Sequence, residues 1–310
     1  MSDYGDWRLT LRLLAPLGTP MQSDTLFGHL CWQIALTEGE TAIGDFLKPF
    51  LEGDPPFVFS DAFPIGLLPR PLLPRRPLPA DDKRQYAARK EWEKAHFVTI
   101  EGFTQLVRGQ AQSVTPIPDP WTTVTTPHAS INRLLDTTGS GDTEAGQFFQ
   151  TEGFALPMDS RVQVYLRARP ETKDRVTALV RQLALVGFGR DKSVGYGAFA
   201  VEDIEPWSAF ALFNGADAFV SLSTFMPAPS DPTDGRWRLR IKRGFVGEHG
   251  GHGNPFKRPL VQLLPGAVFR TNGEGVRSVY GRMVPHVSAG MAEAVQNGYT
   301  LVAPCRWREL

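Results

Sequence analysis

The chain has 310 residues, with 33 Lys plus Arg against 33 Asp plus Glu, 42% hydrophobic residues and 20 Phe. That length favours two domains, and the apolar content supports sizeable cores, which excludes global disorder. A net charge of zero removes the argument that a basic protein must bind nucleic acid, so any basic surface has to be local. The two cysteines, Cys31 and Cys305, lie far apart without a CxxC partner; disulfide frameworks and cysteine zinc sites are unsupported, and a reducing cytoplasm fits. No apolar run approaches the ~20 residues that span a bilayer, so a soluble cytoplasmic protein with no membrane partner is expected.

In chain order, Trp7 to Leu13 alternates Leu9, Leu11 and Leu13 with Arg8, Thr10 and Arg12, the period of a half-buried strand. Ser23 or Asp24 then caps a helix on which Leu26, Phe27, Leu30, Cys31, Ile34 and Ala35 recur at helical spacing. Residues 53–80 are dense in prolines, including Arg70 to Pro79, and such a run supplies neither helix interiors nor central strands. It reads as an excursion from the core, continuing through the highly charged Asp81 to His96 and further loops to Thr126. Regular pattern returns in the strand Arg161 to Leu166 and the helix Glu171 to Val186, which feeds a glycine-rich loop and a strand over Ala198 to Ile204. Two strand-helix units separated by an insertion suit a ferredoxin-like β-α-β-β-α-β arrangement. Beyond Pro206, strands are expected at 218–224, 236–243 and 266–270. The fold class is therefore α+β, with one domain over 1–206 carrying an insertion at about 53–126 and a strand-rich second domain over 207–310.

The sharpest motif is Gly187-Phe188-Gly189-Arg190-Asp191-Lys192-Ser193-Val194-Gly195-Tyr196-Gly197, between a helix and a strand. Gly187, Gly189, Gly195 and Gly197 permit positive φ and close backbone approach, while Arg190, Lys192 and Ser193 supply donors for phosphate oxygens. Phosphate-binding P-loops and dinucleotide-binding turns both need the glycines before a helix, and the element order here is reversed. Taken alone, the loop is equally a plain helix-to-strand connection.

Together with Ser23-Asp24-Thr25-Leu26-Phe27-Gly28-His29-Leu30, this loop resembles the RAMP superfamily of CRISPR proteins, built from RRM-type ferredoxin folds. Three further segments resemble the Csm-type subunit of the Cas-five-like group in type III-A effector complexes. They are Leu30-Cys31-Trp32; Pro127 to Arg133 with Gly146-Gln147-Phe148-Phe149; and Leu264 to Phe269 with Val279-Tyr280-Gly281-Arg282. The middle motif departs from the family, whose Thr-Gly pair follows the Arg directly, where Leu134 to Gly139 runs longer. Related type III-D subunits share the glycine loop, so both subtypes stay open at this point.

The resemblance implies two ferredoxin-like RAMP domains with an inserted proline-rich arm, and no active site, metal or cofactor. It implies that the chain grips the 5′ tag of the crRNA and touches both the large polymerase/cyclase subunit and a RAMP backbone subunit. The RNA-binding residues expected are the loop positions above, Ser23, His128, Asn132, Arg133, Arg240, Lys242 and Arg243. His128, Asn132 and Arg133 can donate to phosphate or ribose. Arg236, Arg238, Arg240, Lys242 and Arg243 form a basic stripe on one strand face, opposite Trp237, Leu239 and Ile241, suited to tracking phosphates or to plain solvation. His249 and His252 lack further clustered ligands and read as loop rather than metal site. Arg70, Arg75 and Arg76 on the proline arm could reach RNA or a neighbouring subunit. Two other readings stand beside guide binding: a metal-independent endoribonuclease using His29 with Lys192, and a protein-only scaffold.

Overall fold

The computed structural model describes residues 4–74, 83–110, 114–129, 131, 148–157, 159–247 and 254–308. The first half gives β1 (Gly5–Leu13), α1 (Ser23–Thr37), α2 (Glu40–Leu51), β2 (Phe57–Phe59), β3 (Phe63–Pro64) and β4 (Leu67–Pro69). Then come α3 (Lys83–Lys94), β5 (Phe97–Thr99), α4 (Ile100–Val107), β6 (Thr122–Ala129), β7 (Phe148–Ala155), β8 (Arg161–Ala168), α5 (Pro170–Val186) and β9 (Phe199–Pro206). A 3-10 turn at Lys192–Val194 precedes β9, and after β9 every further element among the described residues is a strand. These are β10 (Ala218–Ser221), β11 (Gly235–Arg236), β12 (Leu239–Lys242), β13 (Leu260–Leu263), β14 (Val268–Arg270), β15 (Val279–Val284) and β16 (Gln296–Cys305). The chain is α+β, as expected.

Alternation in β1 works as its sequence suggests: Leu9 and Leu11 are fully buried, each contributing about 1.5–3 kcal/mol of apolar burial. β1 lies between β8 and β9, antiparallel to both, and β2 and β3 pair with the far side of β8. The spatial order β2-β8-β1-β9 puts the second strand beside the third, then the first, then the last. On α5, Val176, Leu179, Val180 and Leu183 are all buried, the stripe that the 3.6-residue period selects.

Two expectations are corrected here. Neither Ser23 nor Asp24 caps α1; Gln22 holds the N-cap position without a side-chain bond, and the orphan Ser23 N–H donates to Asp61 Oδ1 at 2.9 Å, a cap supplied from another segment. Nor does the whole of residues 53–80 leave the core: Phe57, Val58, Phe59 and Phe63 are buried and join the first sheet. Pro64 and Pro69 are the last residues of β3 and β4, strand ends where a missing N–H costs no ladder bond. The stretch read as loops to Thr126 also holds α4, whose Thr99 cap accepts the Gly102 N–H and whose Phe103, Leu106 and Val107 are buried.

In the second half the order is β11-β14-β10-β16-β15, all antiparallel. Its first four positions repeat the order of the first sheet, again second, third, first, fourth, with loops and β15 where helices would stand. β16 is buried throughout, and α1 packs against it. Leu9 of the first sheet and Ala218, Val220 and Leu301 of the second thus belong to one continuous core. The expected single strand over 236–243 is in fact two: β11 pairs with β14, whereas β12 pairs with β13.

Candidate nucleic-acid interface

The glycine loop is a built structure. Gly187, Gly189, Gly195 and Gly197 all have positive φ, between +69° and +98°. Phe188 N–H donates to Gly197 O at 2.9 Å, closing the loop at its base, and Gly197 N–H donates to Pro16 O at 2.8 Å. A Cβ on Gly197 would lie 1.8 Å from Phe188 O, so no other residue fits that position. Phe188 is fully buried with its ring 4.9 Å from that of His29. Gly187 and Gly197 therefore hold the frame, while Arg190, Ser193, Val194 and Gly195 form its exposed rim. Lys192 Nζ and Ser193 Oγ have no hydrogen bond within the described residues, which leaves their donors available.

Around the loop the fold gathers two other segments. The turn after β1 supplies Thr19, whose Oγ1 accepts the Arg190 N–H at 3.3 Å, and Gly18, where a Cβ would fall 2.4 Å from Arg190 O. The β6–β7 hairpin supplies Thr126, whose Oγ1 accepts from the Tyr196 hydroxyl at 2.8 Å, and Glu152, whose carbonyl accepts from Arg190 Nη2 at 2.9 Å. His128 stands on β6 two residues from Thr126, its ring stacked on Phe149 at 5.2 Å and its Nε2 buried without a hydrogen bond among the described residues. The structure thus brings His128 and the glycine loop to one region. Asn132 and Arg133 lie outside the described residues, as do His249, His252, Arg75 and Arg76.

His29 sits beneath this loop. Its Nε2 accepts the Gly189 N–H at 2.9 Å. Burial, with a smaller contribution from the Lys192 charge, lowers its pKa to about 4, so the ring is neutral at physiological pH and its free lone pair is committed to the backbone.

Ser23, Arg240 and Lys242 are placed elsewhere, with their side chains engaged inside the protein. Ser23 is 1% exposed and its hydroxyl donates to Thr224 O. On β12 the faces are inverted from expectation: Leu239 and Ile241 are 58% and 61% exposed, while the cations turn inward. Lys242 Nζ reaches Asp24 Oδ1 at 2.7 Å and Oδ2 at 2.8 Å, and Arg240 donates to Gln22 and Gln262. Asp24 also accepts from Gln262 and Gln296. Burial opposes its charge, but the Lys242 ammonium and these hydrogen bonds outweigh that and hold its carboxyl below the ordinary value. Nearby Asp61 is pushed the other way by burial, against hydrogen bonds from Ser23 and Thr224. The inversion follows from the core's need to neutralise the Asp24 carboxylate on α1. Of the predicted stripe, Arg236 and Arg243 keep the solvent-exposed position. Thr19 and Thr126 frame the loop and were missed by sequence reasoning; only their neighbourhood in space marks them. Among the described residues, no group of three or more His, Cys, Asp or Glu could hold a metal, and no helix is long and apolar enough to cross a membrane.

These features define a class: an α+β chain of two antiparallel sheets sharing one strand order, with a rigid glycine-rich loop leaving a helix. No protein-family model and no curated protein matches the sequence. Solved structures do match the fold along its whole length. A chain of the Csm1-Csm4 cassette in complex with cA4 aligns with a TM-score of 0.64 at 18% identity, covering 98% of this chain and 100% of that one. A chain of the Csm3-Csm4 subcomplex in the type III-A CRISPR-Cas interference complex aligns at 0.56 and 14% identity, covering 96% and 99%. Csm4 is named in both assemblies, and what this chain shares with the matched chains is their fold.

Proposed function

We propose that the chain is a non-catalytic crRNA-binding subunit of a type III-A CRISPR effector complex, clamping the 5′ tag of the guide between the glycine loop and the β6–β7 hairpin. The observation that carries this reading is the loop itself: its frame is fixed by Gly197, Phe188 and His29, while Arg190, Lys192 and Ser193 stand at its rim. Donors held in advance on a rigid frame suit the phosphates of a single strand. Each half is read as a ferredoxin-like RAMP domain, bounded near Pro206, the second having lost its helices. The fold neighbours occur with Csm1 and with Csm3, which supports contacts to a large subunit on one side and a backbone subunit on the other. The exposed apolar face of β12, with Leu239 and Ile241, is assigned to such a protein neighbour.

The endoribonuclease reading loses its general base, because the His29 nitrogen that would take a proton already accepts the Gly189 N–H. A protein-only scaffold is separated from the clamp by RNA affinity. Fluorescence anisotropy with a labelled single-stranded RNA of repeat sequence is expected to show affinity falling with salt, by roughly 0.7 log units per log unit of salt for each phosphate contacted. The Arg190→Glu, Lys192→Glu double variant is expected to lose most of that affinity and to flatten the slope. Unchanged binding would leave the scaffold.

A further inference from the structure

A second concave site adjoins the glycine loop, built on the next residues of the same two segments that hold the loop in place. Leu17 and Phe154 exchange backbone hydrogen bonds in both directions at 2.8 Å, fastening the turn after β1 to β7. Gly18 and Thr19 of that turn and Glu152 of β7 close on Arg190, whereas Met21 and Phe154 line a cavity of about 340 Å³ beside them. Phe97, Trp121 and Leu264 extend its largely apolar walls. The loop and the cavity are neighbours by construction.

Two of the polar residues lining the cavity are already used inside the protein. Asp61 Oδ1 accepts the Ser23 and Thr224 N–H groups and its Oδ2 the Thr224 hydroxyl, while Gln22 donates to Thr224 Oγ1 and accepts from Arg240. Three others keep capacity. Asp119 Oδ2 accepts from His96 Nδ1 at 3.2 Å and its Oδ1 accepts the Trp121 N–H at 3.1 Å, so one exposed carboxylate orients the imidazole and fixes the backbone that carries the indole. With its proton on Nδ1, His96 presents Nε2 as an acceptor, and that atom has no hydrogen bond among the described residues. Arg238 is held by one donor, Nη2 to Glu93 O at 3.0 Å; its Nε and Nη1 make no hydrogen bond among the described residues.

These groups specify an occupant. An apolar side chain from a protein neighbour would fill the walls but cover Arg238, Asp119 and His96 without partnering them, which costs free energy. A nucleobase answers both needs, with a flat face for the aromatic walls and a hydrogen-bonding edge for the polar groups. The volume lies at the lower end of the about 300–1,000 Å³ usual for small-molecule sites, enough for a base and its ribose. Guanine presents two adjacent acceptors, N7 and O6, to a guanidinium and an amino donor to a carboxylate or imidazole. From this we infer that the cavity takes up one guanine base of the strand held at the glycine loop, with Arg238 reading N7 and O6 and Asp119 and His96 facing the amino group. The inference rests on the clamp reading and extends it from phosphate to base: the loop positions the strand and the cavity selects within it.

Three labelled single-stranded RNAs of equal length test this by fluorescence anisotropy on the full chain: oligouridine, and the same strand with either adenosines or guanosines interspersed. The guanosine strand is expected to bind about tenfold tighter than the other two. Asp119→Asn, on an exposed side chain, and Arg238→Gln are expected to reduce that preference to about twofold or less and to leave the affinity for oligouridine unchanged. The Arg190→Glu, Lys192→Glu variant should weaken all three strands alike, because phosphate contacts carry no sequence. Equal affinity for the adenosine and guanosine strands, or a preference that survives both cavity substitutions, would overturn the inference while the clamp stood, and would leave the cavity to a protein side chain. Failure of wild type to bind any of the three would overturn both.

Discussion

The glycine loop and β12 each carry cations interleaved with other residues, yet the fold uses them in opposite ways. In the loop, glycines at positive φ turn the backbone inward to Pro16, Thr19 and His29, and the charged side chains are left at the rim. In β12 the backbone is regular, and Arg240 and Lys242 are drawn inward to Gln22, Gln262 and the buried Asp24, leaving Leu239 and Ile241 outside. The difference lies in where the cations end: Lys242 is held in the interior by a carboxylate from a distant helix, whereas Arg190 pairs with its own neighbour Asp191 at the rim and Lys192 makes no ion pair among the described residues.

The largest effect is expected from the β12 side. Asp24→Ala strands Lys242, Gln262 and Gln296 without their acceptor and should destabilise the chain by about 3–5 kcal/mol in chemical denaturation, while Leu239→Ala on the exposed face should cost little. The contribution of Asp24 has a definite pH sign. Its folded pKa lies below the ordinary 3.8, so the stability it adds is present above that value and is lost as pH falls through the folded one.

Within the loop, two glycines can be set against each other. Gly197→Ala combines positive φ with a Cβ 1.8 Å from Phe188 O, whereas Gly195→Ala has the same class of φ and open space around it. A thermal melt should show Gly195→Ala costing of order 1 kcal/mol and Gly197→Ala clearly more. Equal losses would mean that the loop base is not rigid.

The smallest expected effect concerns His29. Above pH 6.5 the ring is neutral in both folded and unfolded chains; between 6.5 and about 4 the unfolded chain takes up a proton that the folded chain refuses. Stability should therefore fall as pH drops through that window, and His29→Gln should flatten the slope. A slope unchanged by the substitution would remove His29 from the loop's frame.

Strand β1 and helices α1 and α5 were legible because their periodicity is set by one buried face, as in Leu9, Leu11 and Leu13 or Val176, Leu179 and Val180; β8 is buried on both faces and was legible only because polar residues happen to alternate with Val162, Val164 and Leu166. β16 was not: buried on both sides, it has no alternation, and Gly298 and Pro304 lie within it. Phe57 to Phe63 was hidden by the prolines around it, since an edge strand tolerates them. The glycine loop could be read from its residue types alone, but the partners that shape it, Thr19 and Thr126, are brought close only by the fold. The facing of β12 was illegible for a like reason: its determinant, Asp24, lies 218 residues from Lys242.

The clamp itself is tested most directly by co-expressing the chain with the other subunits of a type III-A complex and a guide, then sequencing the RNA that co-purifies. Wild type is compared with a Gly189→Asp, Arg190→Glu, Lys192→Glu variant. Guides with one uniform 5′ tag in wild type, and lost or frayed tags in the variant, are the expected result. Identical guides in both would contradict it and make the loop a structural turn.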